Sequence, residues 1–236
     1  MPPVADAPLF FLDYDGTLAP IVDDPDAAVP HPEVPALLEV LDDRSPLWIV
    51  TGRDIEALSR FLDQPLNAIG LHGAQEGVVS GDVSHLMTEE AAAAIAALRR
   101  SVPNVEGLNV EDKDRAFAVH YREANEAEAH ERLRAWIDTM PDLLDAIWGK
   151  KVVELRPDGL TKGTAVRRIA DRFPDRTPVY LGDDVTDEDA FEALHALDRP
   201  AITIKVGEGE TCAQHRLVGP DDVVAYLKQY VPGSAA

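Results

Sequence analysis

The chain has 236 residues, 45% of them apolar, enough for one elaborated domain or for a core with a smaller inserted unit. Its 22 basic and 43 acidic residues leave a net charge of −21, which argues against a nucleic-acid partner and disfavours an anionic membrane surface. The same charge repels anionic ligands at long range, so a phosphate site here needs local cations or a metal; the acidity otherwise serves solubility or adaptation to high salt.

The apolar run Leu9 to Leu12 reads as a buried strand that delivers Asp13 and Asp15, one residue apart, to its C-terminal end. Gly16 then lets the chain turn, so that Asp15 can be re-aimed toward the centre that Asp13 faces. A Pro- and Asp-rich loop follows to Pro35, and Val34, Leu37, Leu38 and Leu41 recur at helical spacing. Leu47–Val50 is a second buried strand, ending in Thr51-Gly52-Arg53. Ile55 to Leu62 predicts a helix, and Asn67 to Leu71 a third apolar strand ending in His72-Gly73. Strand–helix alternation of this kind implies a doubly wound parallel sheet.

The rhythm then changes. Thr88 is placed to cap a helix running to Arg100, with Glu89 and Glu90 in its first turn. Strands are expected at Asn109–Lys113 and Ala116–Arg122, a helix at Glu126–Met140, and a hairpin of Ala146–Trp148 with Val152–Leu155 across Gly149. This block predicts a compact α+β unit over 85–158, inserted between core segments 1–84 and 159–236. Parallel-sheet rhythm resumes with a helix at Gly163–Phe173, a strand at Val179–Gly182, a helix at Asp187–Leu197 and a strand at Ile202–Val206. A last helix spans Asp221–Tyr230.

Cys212 is the only cysteine, so no internal disulfide can form, and a reducing cytoplasm fits. No apolar run reaches the length of about 18 residues that spans a bilayer. Met1 to Pro8 carries Asp6 and no basic residue, unlike a secretory signal. A soluble cytoplasmic protein is expected.

Four signals lie at four expected strand or helix ends. In an open α/β sheet ligands bind beyond the C-terminal strand ends. An acidic pair there, Asp13 and Asp15, can hold Mg²⁺ and present one carboxylate as a nucleophile toward phosphorus. Thr51 offers a hydroxyl to a phosphoryl oxygen, and the turn amides around Gly52 can add to an anion nest. Lys162 sits at a helix N-terminus, where anions are favoured and its ammonium can face a phosphate or the nucleophile. The run Gly182-Asp183-Asp184-Val185-Thr186-Asp187-Glu188-Asp189 gathers five acids within seven residues after a buried strand. Such crowding is suited to a divalent cation. Thr186 and Asp189 also match a capping box.

Taken together, these motifs resemble the haloacid dehalogenase superfamily of phosphotransferases, and in detail its trehalose-6-phosphate phosphatases. The resemblance rests on LDYDGTLAPI (12–21), VTGRD (50–54), GLHGA (70–74), VEDKDRAFAVHYR (110–122), VVELRPDGLTKGTAV (152–166) and LGDDVTDEDAF (181–191). One departure is Gln75, where an acid is expected. The resemblance implies a Rossmann-like core with an α+β cap that closes over a sugar phosphate. It implies that Asp13 forms an aspartyl-phosphate, that Asp15 acts as acid and then base, and that Thr51 and Lys162 hold phosphoryl oxygens. Mg²⁺ would be held by Asp13, the carbonyl of Asp15 and Asp183, with Asp184 and Asp187 orienting waters or the lysine. The sugar would meet Gly52, Arg53, His72 and Gly73 on the core side. On the cap it would meet Glu111, Lys113, His120, Arg122 and Glu154. The implied reaction is hydrolysis of trehalose 6-phosphate. Sucrose phosphate or glucosylglycerol phosphate is the alternative substrate, and a silent binding protein on the same fold the alternative class.

Overall fold

The computed structural model describes residues 1–22, 24–113, 116–149 and 151–231. Its first segment contains β1 (Pro8–Asp13), α1 (Val34–Asp42), β2 (Leu47–Val50), α2 (Ile55–Leu58), β3 (Asn67–Gly70), β4 (Gln75–Val78) and β5 (Val83–His85). Next come α3 (Glu89–Arg100), β6 (Asn109–Lys113), β7 (Ala116–His120), α4 (Glu126–Ile137), β8 (Leu144–Gly149) and β9 (Val152–Pro157). The chain then forms α5 (Lys162–Ala170), β10 (Thr177–Gly182), α6 (Val185–His195), β11 (Ile202–Val206), β12 (His215–Leu217) and α7 (Pro220–Leu227). Two compact units result: Met1–His85 with Thr161–Ala236, and Leu86–Leu160.

In the first unit the strand order is β12-β11-β10-β1-β2-β3-β4-β5. Pairing is parallel from β12 to β3, and β4 and β5 extend the sheet antiparallel. The sequence pattern leaves β4, β5 and β12 unassigned, because these short strands at the two margins of the sheet lack the apolar run that marks a central one.

β1 is buried along its whole length, and its two faces meet two different cores. Phe10 and Leu12 pack with α1 and α7 residues such as Leu38, Leu41, Val223 and Leu227. Leu9 and Phe11 pack with Val166 and Ile169 of α5 and Phe191 and Leu194 of α6. Because strand side chains alternate, Asp13 shares the parity of Leu9 and Phe11 and emerges on the α5/α6 face. Leu12 pairs with Leu181 of β10, so Asp13 and Gly182 end their strands at one level.

Helix boundaries follow local hydrogen bonding. α2 stops at Leu58 rather than Leu62, where the Ser59 hydroxyl donates to the Glu56 carbonyl at 2.6 Å. α4 stops at Ile137 rather than Met140, with Thr139 donating to the Trp136 carbonyl at 2.7 Å. α6 starts at Val185, two residues early, because the cap is Asp184 with Asp187 and not Thr186 with Asp189.

The second unit is an antiparallel sheet, ordered β6-β7-β9-β8. Phe117, Val119, Val153 and Leu155 pack one of its faces against Ile95 and Leu98 of α3 and Leu133 and Trp136 of α4. Thr88 does cap α3, its hydroxyl oxygen accepting from the Ala91 amide at 3.2 Å. β7 ends at His120, two residues before the expected strand end, and leaves Arg122 in the following bend.

α5 approaches α6 closely at Gly163, where an added Cβ would lie 2.4 Å from the Asp189 carbonyl oxygen. Alanine gains about 1 kcal/mol over glycine in a helix, but a backbone carbonyl cannot yield as a flexible side chain can. Gly163→Ala is therefore expected to lower stability by about 1–2 kcal/mol net, the overpacking penalty exceeding the propensity gain. Urea unfolding would measure this.

Candidate active site

The site grows from the ends of β1 and β10 and the starts of α5 and α6. Lys162, the first residue of α5, is 2% exposed, and its Nζ donates to Asp13 Oδ1 at 2.8 Å and to Asp187 Oδ1 at 2.7 Å. Tyr180 donates its hydroxyl to the same Asp187 oxygen at 2.6 Å, and the Asp184 amide donates to Asp187 Oδ2 at 2.9 Å. Asp187 is thus satisfied by fixed donors on both oxygens and serves to hold the lysine. Gly182 is required beside it, because a Cβ there would fall 2.3 Å from the Asp187 carboxyl carbon. Asp184, expected to orient waters or the lysine, instead turns its carboxylate to the amide of Val185 at 2.7 Å.

Carboxylate oxygens of Asp13, Asp183 and Asp187 lie within 4.8 Å of one another. These three acids face the ammonium of Lys162. Burial pushes the Asp13 carboxyl well above the ordinary carboxylate range; Lys162 opposes this, and Asp187 and Asp183 add to it. Burial, then the Asp187 and Asp184 carboxylates, push Asp183 up to about 6, against Lys162 and a hydrogen bond with Asp13. For Lys162 burial disfavours the charge, but Asp13 and Asp187 outweigh it and raise its pKa. Excess negative charge on buried oxygens is the environment that a hard divalent cation matches. Gly16, with φ +77°, brings its turn so close that a Cβ would meet Asp183 Oδ2 at 2.1 Å. The donor set fits a metal, with Asp13 and Asp183 as the side chains available to hold it.

Asp15 does not join this cluster, contrary to the re-aiming expected from the turn. Its carboxylate is gripped at both oxygens by Arg53, from Nε at 2.7 Å and Nη2 at 2.6 Å. That guanidinium packs over the Tyr14 and Phe61 rings, 5.4 and 5.0 Å from their centroids. Its pKa is raised, chiefly by the hydrogen bond to Asp15. Arg53 therefore stands as the partner of Asp15 before it can be a ligand for sugar. Thr51 is buried and its Oγ1 accepts from the Arg53 amide at 3.1 Å, which leaves the hydroxyl hydrogen for another acceptor.

The loop after β3 is strained. Leu71 and His72 have φ of 47° and 54°, and Gly73 follows at 114°. The His72 ring lies against Gly52, where a Cβ would come within 2.6 Å of it, and a Cβ on Gly73 would strike the Thr161 carbonyl oxygen at 2.5 Å. Four of the expected residues, Gly52, Arg53, His72 and Gly73, are thus gathered on two adjoining loops. Such strain is typical of sites that need a fixed backbone.

Gln75 is buried and answers two neighbours at once. Its Oε1 accepts from the Ile55 amide at 3.0 Å, and its Nε2 donates to Asp54 Oδ2 at 2.6 Å. An ionised acid could not donate to the carboxylate that caps α2, whereas the amide both accepts and donates without charge, which accounts for the departure from the expected acid.

In the second unit, register places Glu111, Ala118 and Glu154 across one face, opposite the face of Phe117 and Val119. His120 lies on that open face and meets Glu111 Oε2 at 2.7 Å from Nε2. Lys113 shares the parity by register, but its side chain is outside the described residues. Arg122 is exposed in the bend beyond β7. Sequence reasoning missed Tyr180, Thr17 and Lys205. Thr17 Oγ1 lies 3.4 Å from Asp13 Oδ2. Lys205 bonds the Asp183 carbonyl. Tyr180 pairs with Phe11 in the β1–β10 ladder, so strand parity could have found it. A lysine inside the apolar run of β11 was the signal for Lys205.

The α/β sheet, parallel from β12 to β3, is of the haloacid dehalogenase fold class, and it carries Asp13 at a strand end, bridged by Lys162 to Asp187 in the first turn of α6. Within that class, residues 11–218 match the family described as Trehalose-phosphatase. The trehalose-phosphate phosphatase of Mycobacterium marinum is 39% identical over 203 residues, covering 79% of this chain and 51% of that protein. The chain therefore spans about half the length of that relative. A trehalose-6-phosphate phosphatase-related protein of Thermoplasma acidophilum is 34% identical, with 93% of this chain and 95% of that protein covered. The solved trehalose-6-phosphate phosphatase of Aspergillus fumigatus superposes with a TM-score of 0.73 at 29% identity, over 95% of this chain and 92% of that one. The chain belongs to the trehalose-phosphatase family.

Two substitutions test the site's framework by denaturant unfolding. Tyr180→Phe removes a donor from buried Asp187 and should cost about 1.5–3 kcal/mol, the range for a hydrogen bond to a charged group. Gln75→Glu sets a carboxylate against Asp54 and should cost at least about 2 kcal/mol at neutral pH. The new carboxyl would hold its proton more tightly folded than unfolded. That deficit should therefore close as pH falls toward the ordinary glutamate value of about 4.3.

Proposed function

We propose that this protein is a Mg²⁺-dependent phosphatase that hydrolyses trehalose 6-phosphate to trehalose and phosphate. The observation that carries the reading is buried Asp13, held on one oxygen by Lys162 among acids that fit a cation, in a chain of the trehalose-phosphatase family.

Asp13 is held so that one oxygen faces Lys162 and the other is left to attack phosphorus. Attack forms the Asp13–phosphorus bond, breaks the bond to the sugar oxygen and splits one difficult displacement into two. Asp15 delivers a proton to the departing sugar oxygen, then takes one from the water that cleaves the aspartyl-phosphate. Arg53 grips Asp15 at both oxygens, so its hold must loosen for Asp15 to carry that proton. Thr51 donates its hydroxyl to an equatorial phosphoryl oxygen, and Lys162 holds another while keeping Asp13 oriented. When bound by Asp13, the Asp15 carbonyl and Asp183, Mg²⁺ would offset the repulsion between carboxylate and phosphate.

The second unit is assigned the role of specificity cap. Its open sheet face carries Glu111, His120 and Glu154, polar groups able to pair with neutral sugar hydroxyls; Lys113 and Arg122 complete the proposed set. No described helix is long and apolar enough to cross a membrane.

The deciding assay is phosphate release from trehalose 6-phosphate, sucrose 6-phosphate, glucose 6-phosphate, glucosylglycerol phosphate and p-nitrophenyl phosphate, with Mg²⁺ or EDTA. Trehalose 6-phosphate should be preferred, EDTA should abolish release, and Asp13→Asn should reduce kcat by at least about a thousandfold. Preference for another sugar phosphate would discard the substrate and keep the chemistry. No release from any member by folded protein would favour a binding role. Mg²⁺ at about 100 times its Kd should add about 2.7 kcal/mol and raise Tm by several degrees.

A further inference from the structure

Lys205 lies on β11 between Ile204 and Val206 and is only 5% exposed. Burying an ammonium costs several kcal/mol unless partners meet it. Its Nζ donates to the backbone carbonyl oxygen of Asp183, and Glu188 Oε1 lies 3.9 Å away. Glu188 is anchored in turn, its Oε2 accepting from Thr211 Oγ1 at 3.1 Å and from the Cys212 amide at 2.9 Å. Lys205, Glu188, Thr211 and Cys212 have no part in the reaction described above.

The effect is to pin one peptide unit in the turn after β10, that between Asp183 and Asp184, from both sides. Asp187 Oδ2 receives the Asp184 amide at 2.9 Å, and Lys205 holds the Asp183 carbonyl. Directly before this held peptide the Asp183 carboxylate projects into the acidic cluster, packed against Gly16 too tightly to admit a Cβ. The lysine's charge is matched locally by Glu188, so its contribution to the cluster is geometric.

We infer that Lys205 is a positioning residue for the divalent-cation site, fixing the Asp183 peptide so that its carboxylate stays where a cation is held. The inference rests on the metal reading proposed above. It also makes a prediction opposite in sign to that from charge. Lys205→Met leaves Glu188 without its counter-ion and adds a negative charge beside the site, so electrostatics alone would tighten cation binding. Loss of positioning weakens it.

Calorimetric titration of Mg²⁺ into metal-free protein separates the two, using the unaltered chain, Lys205→Met and the charge-balanced Lys205→Met/Glu188→Gln. Both variants should bind Mg²⁺ about 10-fold more weakly or worse, the usual cost of losing a hydrogen-bond partner behind a metal ligand. The Mg²⁺ concentration for half-maximal turnover should rise by the same factor, with kcat recovering at saturating Mg²⁺. A protein damaged only in its packing would not recover kcat in this way. The double variant carries the test if Lys205→Met alone does not fold, since it removes the buried charge that the single change strands. Unchanged or tighter binding by the double variant overturns the inference while the metal reading stands. Failure of the unaltered protein to take up Mg²⁺ overturns both.

Discussion

The buried ammonium of Lys162 between Asp13 and Asp187 is the interaction on which the rest of this protein's architecture depends. A lysine and two carboxylates out of water are costly separately and stable only when their geometry is well met. Here the geometry comes from three directions: β1 brings Asp13, α5 brings Lys162 on its first residue, and α6 brings Asp187 on its first turn. Tyr180 and the Asp184 amide also donate to Asp187, one to each oxygen. The ion pair is therefore also a joint between two helices and two strands. The close approach at Gly163 and Gly182 follows from it.

Around that joint the protein tolerates local disfavour for the sake of position. Two successive non-glycine residues adopt left-handed backbone at Leu71 and His72, which sets the imidazole against Gly52. Asp13 and Asp183 are held where burial and neighbouring acids oppose their charge. An excess of buried negative charge is unfavourable in the isolated chain and becomes an asset once a cation is shared. Arg53 keeps Asp15 apart from the cluster, so the two acids of one short motif occupy different electrostatic settings. For Asp15 to take the acid–base role proposed above, Arg53 must release it.

The second unit obeys a different logic. One face of its sheet is committed to a hydrophobic core under α3 and α4. The other carries acids and a histidine on alternate positions, with Glu111 and His120 already paired. A polar sheet face supported by a packed one can vary in sequence without cost to the core beneath. This suits the specificity role proposed for the unit.

The sequence alone determined the strands that lead into Asp13, Thr51 and Asp183, the helix whose start adjoins Lys162, the α+β insertion and the family resemblance. Each of these rests on a local signal, either an apolar run closed by a turn or a motif whose residues are consecutive. Only the tertiary structure decided the partners. Asp15 turned to Arg53, 38 residues away, because a guanidinium supported by Tyr14 and Phe61 offered two hydrogen bonds in one plane. Asp187 outcompeted Asp189 as the capping partner because it also meets Lys162 and Tyr180. Gln75 proved to need an amide because Asp54 and the Ile55 amide present an acceptor and a donor together. Lys205 reaches the Asp183 carbonyl through pairing of β10 with β11, a relation between residues 22 apart that no spacing rule contains. Periodicity and turn chemistry act over a few residues and are legible in the chain. Which charge meets which is settled by desolvation and packing, and these exist only after the strands have paired.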